Sequence, residues 1–96
     1  MVMISYNEAM DEEILELLEG CAARNFTKLI GVYGRGRSSG THMGSDIWPG
    51  LNHLLYVACD EKQTQALLAG VRKLRQKLGH EGVKAFVLPI EEMTSE

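Results

Sequence analysis

The order of six periodic segments constrains the fold of this chain more than any other feature of its sequence. Short runs of alternating or unbroken apolar residues are typical of strands, whereas apolar residues three and four positions apart are typical of helices. The sequence therefore predicts the order strand, helix, strand, strand, helix, strand. In chain order, the six segments cover residues 2–6, 8–19, 26–33, 53–59, 61–78 and 83–88.

Both predicted helices carry signals at their ends. Asn7 is a good N-cap before an acid-rich first turn, and Gly20 fits the end of the first helix. Asp60 is placed to cap the second helix, Gln63 completes a capping box, and Gly79 marks the helix end. The predicted buried stripe of this helix consists of Leu67, Val71, Leu74 and Leu78.

This order of elements predicts an α+β fold, the ferredoxin-like βαββαβ sandwich, in which a four-stranded antiparallel sheet carries two helices on one face. The other face has no helix to cover it. Residues 54–58 are apolar without a break and residues 85–88 are apolar on both sides of the pleat, although an open face is normally polar in a monomer. One of Leu55 and Val57 is expected to point away from the helices. We therefore expect further copies of the chain to bury the open face.

Composition favours one cytoplasmic domain over residues 1–96. With 45% apolar and 24% charged residues the chain is globular, and its 96 residues build only a thin core. Cys21 and Cys59 lack a paired spacing, and we expect no signal peptide, so both are predicted to be reduced thiols. No apolar run is long enough to insert into a membrane, and a net charge of −3 disfavours nucleic acid and anionic lipid as partners.

The two predicted helices differ in charge. Residues 8–19 hold six acids and no base, whereas residues 61–78 hold five bases and one acid, Glu61. The second helix either presents a docking face to an acidic partner or is merely solvated.

A long glycine-rich loop at about 35–51 joins the second and third strands, and its length favours a functional role. Its glycines allow backbone N–H groups to converge on an anion, to which Arg35, Arg37, Ser38 and Ser39 add charge and hydroxyl donors. Phosphate fits this chemistry, although the loop matches neither a Walker A motif nor a GxGxxG turn. The other interpretation is a flexible, solvated loop. In either case we expect residues 36–50 to be the least ordered internal segment without a ligand.

The same region contains weak candidates for a metal site. His42 and Asp46, with His53 just beyond, could hold a divalent cation, especially if an oligomer repeats a ligand around its axis. For each histidine, an ordinary surface or capping role is the favoured interpretation. Ser38 and Ser39 have no neighbouring His and Asp, so catalysis is not expected.

Two segments carry a resemblance to a known family. Gly36-Arg37-Ser38-Ser39-Gly40 is similar to the segment that opens the long T-loop of PII-like signalling proteins, and residues 82–89 resemble their last loop and strand. The string Ile4-Ser5-Tyr6-Asn7, together with the Gly and Arg residues at 34–37, His42, Gly44-Ser45 and Trp48-Pro49, is similar to a branch associated with membrane efflux transporters.

The resemblance implies a non-enzymatic homotrimer that senses a small ligand in clefts between subunits and regulates a membrane transport protein through its loop. The ligand-binding residues that it implies are Gly36, Arg37, Ser38, Ser39, Gly40 and Lys84. Classical members bind ATP or ADP, usually with 2-oxoglutarate. Here no arginine follows Pro89, so adenine nucleotide binding is expected to be weak or absent.

Two alternatives remain open. One is a trimeric divalent-metal-binding protein resembling the CutA-type cation-tolerance proteins, using His42 and His53. The other is a small enzyme with its site between subunits.

Overall fold

The computed structural model describes residues 1–33, 51–78 and 82–94. The predicted order of elements is confirmed, with a short 3-10 turn, Glu8–Met10, added before the first helix. The bounds are β1 Val2–Asn7, α1 Asp11–Gly20, β2 Phe26–Val32, β3 Asn52–Val57, α2 Glu61–Leu78 and β4 Val83–Val87.

The four strands form one sheet in the order β2-β3-β1-β4, and every neighbouring pair is antiparallel. Both helices contribute side chains to one core with the same sheet face, as Ile14 of α1 and Leu67 of α2 show. This is the predicted ferredoxin-like α+β sandwich, with the first and last strands side by side and the second strand at one edge.

The helix ends follow local chemistry. The Asn7 side chain accepts a hydrogen bond from the Ala9 N–H at 2.8 Å and so starts the 3-10 turn. At α2 the capping box is confirmed: the Gln63 N–H donates to Asp60 Oδ1 at 2.7 Å, and the Asp60 N–H donates to Gln63 Oε1 at 3.0 Å. The α1 helix ends at Gly20, but the left-handed residue beyond it is Ala22, with φ of 56°. An alanine there is strained, because its Cβ crowds the backbone.

The core lies between the helices and the covered face of the sheet. Val2, Ile4, Leu55 and Val57 are fully buried there. In the predicted stripe of α2, Leu67 and Val71 are buried and Leu74 is partly buried, but Leu78 is half exposed. An 18-residue helix is about 27 Å long and β4 about 17 Å, so the last turn of α2 extends beyond what the strand can cover.

The two helices meet at a glycine. A Cβ added at Gly70 of α2 would collide with the Leu17 side chain of α1. The small residue therefore sets how closely the helices approach.

Candidate functional site

The open face of the sheet is the first part of the candidate site. Side chains alternate across each strand, and the strand registers decide which residues share a face. Leu29 and Phe86 on this face are 45% and 43% exposed, and no described helix contributes to it. We define the open face by the side chains that share it: Met3, Ser5, Thr27, Leu29, Leu54, Tyr56, Lys84 and Phe86.

The expectation that Leu55 or Val57 points away from the helices is wrong. Residues two apart share a face, and both are fully buried against the helices. Leu54 and Tyr56 are the β3 residues on the open face, and both remain partly exposed. β3 is therefore apolar on both faces, with Leu55 and Val57 on the covered face and Leu54 and Tyr56 on the open face.

Lys84 is the one predicted ligand-binding residue within the described ranges. It is exposed on the edge strand β4, where it pairs in register with Ser5 of β1. The other predicted ligand-binding residues, Gly36, Arg37, Ser38, Ser39 and Gly40, lie outside the described residues, as does the predicted loop from 35 to 50.

His53 does not lie where a surface metal ligand would. It points to the covered side of the sheet, is 8% exposed, and meets the Tyr6 ring edge-on with 5.5 Å between ring centroids. Its buried Nδ1 has no hydrogen-bond partner in the part of the chain that the structure describes. His42 and Asp46 lie outside that part, and within it no group of three His, Cys, Asp or Glu side chains is placed to hold a metal ion.

A polar cluster beside His53 ties three elements together. Asp11 Oδ1 accepts hydrogen bonds from Tyr6 Oη at 2.6 Å and from Lys28 Nζ at 2.9 Å. The Tyr6 bond, then the Lys28 bond, holds the pKa of the Asp11 carboxyl below its usual range. Burial, followed by the Asp11 hydrogen bond, raises the pKa of Tyr6. The cluster fixes β1, β2 and α1 to one another near the end of β2 that leads into residue 34.

A shallow cleft opens at the opposite end of the sheet, where β2 begins and β3 ends. Its volume is about 460 Å³, and it is open to solvent. Tyr56 contributes an aromatic ring, Thr27 a hydroxyl and Arg24 a guanidinium, which also pairs with Glu19 at 3.2 Å. An aromatic surface, a hydroxyl and a cation suit a ligand with a planar ring and an anionic group. Sequence reasoning did not single out these residues, because only the β2–β3 pairing brings Thr27 opposite Tyr56.

Lys84 and this cleft lie on opposite edges of one sheet. Three inter-strand spacings, about 14 Å, separate β4 from β2. Within one chain the lysine therefore lies away from the cleft.

The two cysteines are not placed as nucleophiles. Both are free and partly exposed at the edge of the core. Burial raises the pKa of the Cys21 thiol, and the nearby Cys59 raises it further. Cys21 is therefore in its weakly reactive thiol form at neutral pH.

Neither helix that the structure describes is both long and apolar enough to cross a bilayer.

Comparison with known proteins gives matches at the level of structure. No protein-family model and no curated protein matches the sequence. The structure of CPII from Thiomonas intermedia bound to ADP, AMP and acetate aligns with a TM-score of 0.67 at 17% identity, over 88% of this chain and 78% of that chain. Its apo form aligns with a TM-score of 0.61 at 15% identity, over 88% and 80% of the two chains. A PII-like signalling protein from Thermus thermophilus aligns with a TM-score of 0.56 at 21% identity, over 88% and 79%. The chain described here therefore adopts the fold of these PII-like proteins.

Proposed function

We propose that residues 1–96 form a single PII-like signalling domain that acts without catalysis in the cytoplasm. Three copies assemble, a small ligand binds in the clefts between them, and the T-loop-like segment at about 35–51 then engages a membrane transport protein. The observation that carries this proposal is an apolar open sheet face with a ring-lined cleft at its edge.

Assembly follows from the open face. Leu29 and Phe86 are each about half exposed, and Leu54, Tyr56 and Met3 lie between them in the sheet. Exposed apolar surface of this kind is stabilised by contact with another protein surface. Contact with two further copies would also bring the Lys84 edge of one sheet toward the cleft edge of another.

Ligand binding follows from the contents of that junction. The cleft supplies Tyr56, Thr27 and Arg24, and a neighbouring copy supplies Lys84. We assign the remaining anion contacts to the segment Gly36-Arg37-Ser38-Ser39-Gly40. CPII, which shares the fold, is described in complex with ADP, AMP and bicarbonate.

Adenine nucleotides are expected to bind weakly or not at all. Residues 90–96 contain no arginine, which removes charge-assisted contacts that classical PII proteins use on phosphate. Two lost contacts of about 1.5–3 kcal/mol each weaken binding by two or more decades. We therefore expect dissociation constants on the order of 0.1 mM or above for ATP and ADP.

The partner proposal rests on the loop. In the string Ile4-Ser5-Tyr6-Asn7, Ile4 and Tyr6 are buried and Asn7 caps the 3-10 turn, so these residues serve the fold. Contact with a transporter is accordingly assigned to residues 35–51.

Titration calorimetry with ATP, ADP, AMP and bicarbonate tests the ligand proposal, with the mass of the free protein measured by sedimentation. We expect a trimer, and for any ligand that binds, at least a tenfold weaker interaction in Lys84→Ala and Arg24→Ala. Lys62→Ala, on the outer face of α2, is the matched control and should bind like the wild type. A well-folded monomer at micromolar concentration would contradict the assembly. Micromolar ATP affinity would contradict the weight given to the missing arginines.

The divalent-metal alternative is favoured by the buried Nδ1 of His53, which has no hydrogen-bond partner among the described residues. Against it, the Asp11 carboxylate already accepts hydrogen bonds from Tyr6 and Lys28, which lower its pKa, and the His53 charge helps to lower it. Titration with Zn²⁺, Cu²⁺ and Mn²⁺ separates the two proposals. Tight binding that is lost in both His42→Ala and His53→Ala would establish the metal protein instead.

A further inference from the structure

The outer surface of the helix layer is divided into one acidic and one basic strip. On α1 and the preceding turn, Glu8, Glu12, Glu16 and Glu19 are all exposed. On α2, Lys62, Arg72, Lys73 and Lys77 are exposed. The ion pairs within the described ranges are Arg24–Glu19 and Lys28–Asp11, so neither helix neutralises the charges of the other.

The two strips also match in shape. At 100° per residue, Lys62, Ala66, Ala69 and Lys73 span only about 60° of the α2 surface, and the two lysines stand about 16 Å apart with the alanines between them. Glu12, Glu16 and Glu19 span a similar arc of α1 over about 10 Å. Leu15 lies beside them and is 38% exposed. A row of glutamates with one leucine therefore fits the low alanine surface between two lysines.

The topology fixes the relative directions of the helices. β3 is antiparallel to both β1 and β2, and β1 is antiparallel to both β3 and β4. β1 and β2 are therefore parallel to each other, and α1, which connects them, runs antiparallel to both. β3 and β4 run in the other direction, and α2 runs antiparallel to them, so α1 and α2 run in opposite directions. A two-fold axis parallel to the helices, placed between two facing helix layers, lays α1 of each copy antiparallel on α2 of the other. Both acidic strips then meet basic strips in one closed contact.

We propose that the helix layer is a docking surface for the helix layer of a second copy, with the acidic strip of each α1 against the basic strip of the other copy's α2. The contact goes beyond the signalling function proposed above and does not depend on the open sheet face. Exposed ion pairs are individually weak and screened by salt, so the association is reversible and salt-sensitive.

A charge-swap experiment tests this pairing by sedimentation velocity on the full chain. The changes are made in the Leu54→Asp chain, because each proposed trimer carries three helix layers and could grow beyond twice its mass. In low salt this background chain should show twice the mass that it has in about 1 M salt, where the Debye length is about 3 Å. Lys62→Glu with Lys73→Glu reverses the two charges that flank the alanine surface of α2, and Glu12→Lys with Glu16→Lys reverses two of the glutamates that would meet them. Each double variant alone then opposes like charges at these positions. Each double variant alone should keep the single mass in low salt, whereas an equimolar mixture should regain the doubled mass. The chain with all four changes should also double.

Circular dichroism checks that every variant is folded, and Gln76→Glu, which adds a single negative charge on the same helix face, should have at most a small effect. The pairing would be overturned if either double variant alone doubled its mass in low salt. It would also be overturned if the two folded variants, when mixed, kept the mass that they have in about 1 M salt. The same holds if the background chain keeps the single mass in low salt but sediments with phosphatidylserine vesicles, because the basic strip would then serve a lipid surface. The Leu54→Asp background separates this contact from assembly through the open face, because Leu54 lies on the sheet face that the trimer would bury and not on the helix layer.

Discussion

The two faces of the sheet are both apolar, but they are apolar for different reasons. On the covered face Val2, Ile4 and Leu55 are fully buried beneath helices of the same chain. On the open face Leu29 and Phe86 remain about half exposed. The first face completes its contacts within one chain, whereas the second is the face that the proposed assembly would cover. The comparison teaches that adjacent residues of one strand, such as Leu54 and Leu55, can lie in different environments, one on the open face and one in the core.

Leu55→Asp should give the largest effect, because it places a charge in the core on the covered face. Leucine is fully buried here, and an uncompensated buried charge costs several kcal/mol, which is comparable to the whole stability of a small domain. We expect loss of the folded circular-dichroism signal at room temperature. Leu55→Ala should lose about 2–5 kcal/mol and remain measurable by urea denaturation. A folded Leu55→Asp protein would break the assignment of the faces.

Leu54→Asp, one residue away, should leave each chain folded but separate the copies. Its side chain lies on the open face, so the charge stays solvated in the monomer and is buried only in the assembly. Sedimentation should show a single-chain mass in about 1 M salt, where helix-layer contacts are screened. Leu54→Met should keep the wild-type mass. If Leu54→Asp unfolded the chain to the same degree as Leu55→Asp, the placement of Leu54 outside the core would be contradicted.

Asp11→Asn tests the polar cluster of Tyr6, Asp11 and Lys28, which lies on the otherwise apolar covered side of the sheet. It removes a carboxylate that accepts bonds from Tyr6 and Lys28, and we expect a loss of about 1–2 kcal/mol at pH 7. The pKa of Asp11 is lowered in the folded chain, so the ionised form stabilises it. That contribution is complete above the ordinary carboxyl pKa of 3.8 and disappears as the pH falls through the lower folded-state pKa.

Urea denaturation of wild type and Asp11→Asn across that range checks the sign. The difference in unfolding free energy should shrink as the pH falls below about 4. A difference that stays constant down to about pH 2 would mean that the carboxylate charge contributes nothing.

Gly70→Ala should give the smallest effect, because two terms oppose each other. Alanine favours the helix by about 1 kcal/mol, whereas the added methyl group must displace Leu17 at a cost of about 1–3 kcal/mol. We expect slight destabilisation alone and stabilisation of about 1 kcal/mol in a Leu17→Ala background. Thermal melts of the four proteins in this cycle measure the coupling. Equal effects in both backgrounds would show that Leu17 does not limit the helix approach.

Local signals in the sequence predicted the element order and the capping box between Asp60 and Gln63, because these depend on neighbours a few residues away. Which side chains of β3 point toward the helices was not predictable in the same way. An unbroken apolar run carries no period-two signal, so Leu54 and Leu55 look alike until the register is known.

The candidate site depends even more on distant pairings. Lys28 looks like an isolated charge in an apolar strand, and only the packing of α1 over β2 gives it Asp11 as a partner. Arg24 and Tyr56 share a cleft because β2 pairs with β3. Gly36 to Gly40, one of the segments that carry the family resemblance, lie outside the described ranges, so their role stays a prediction.

The strand order also determines when the chain can begin to fold during synthesis. β1 pairs with β3 and β4, with Val2 opposite both Val57 and Val87, and never with β2. Among the described residues, the first half of the chain can thus form α1 but has no strand pairing of its own until β3 leaves the ribosome. At about 5–20 residues per second, the apolar residues of β1 wait several seconds for a partner. Newly made chains are consequently most prone to chaperone capture or aggregation before residue 57 emerges, and substitutions in β3 should reduce the yield of soluble protein more than substitutions in β2.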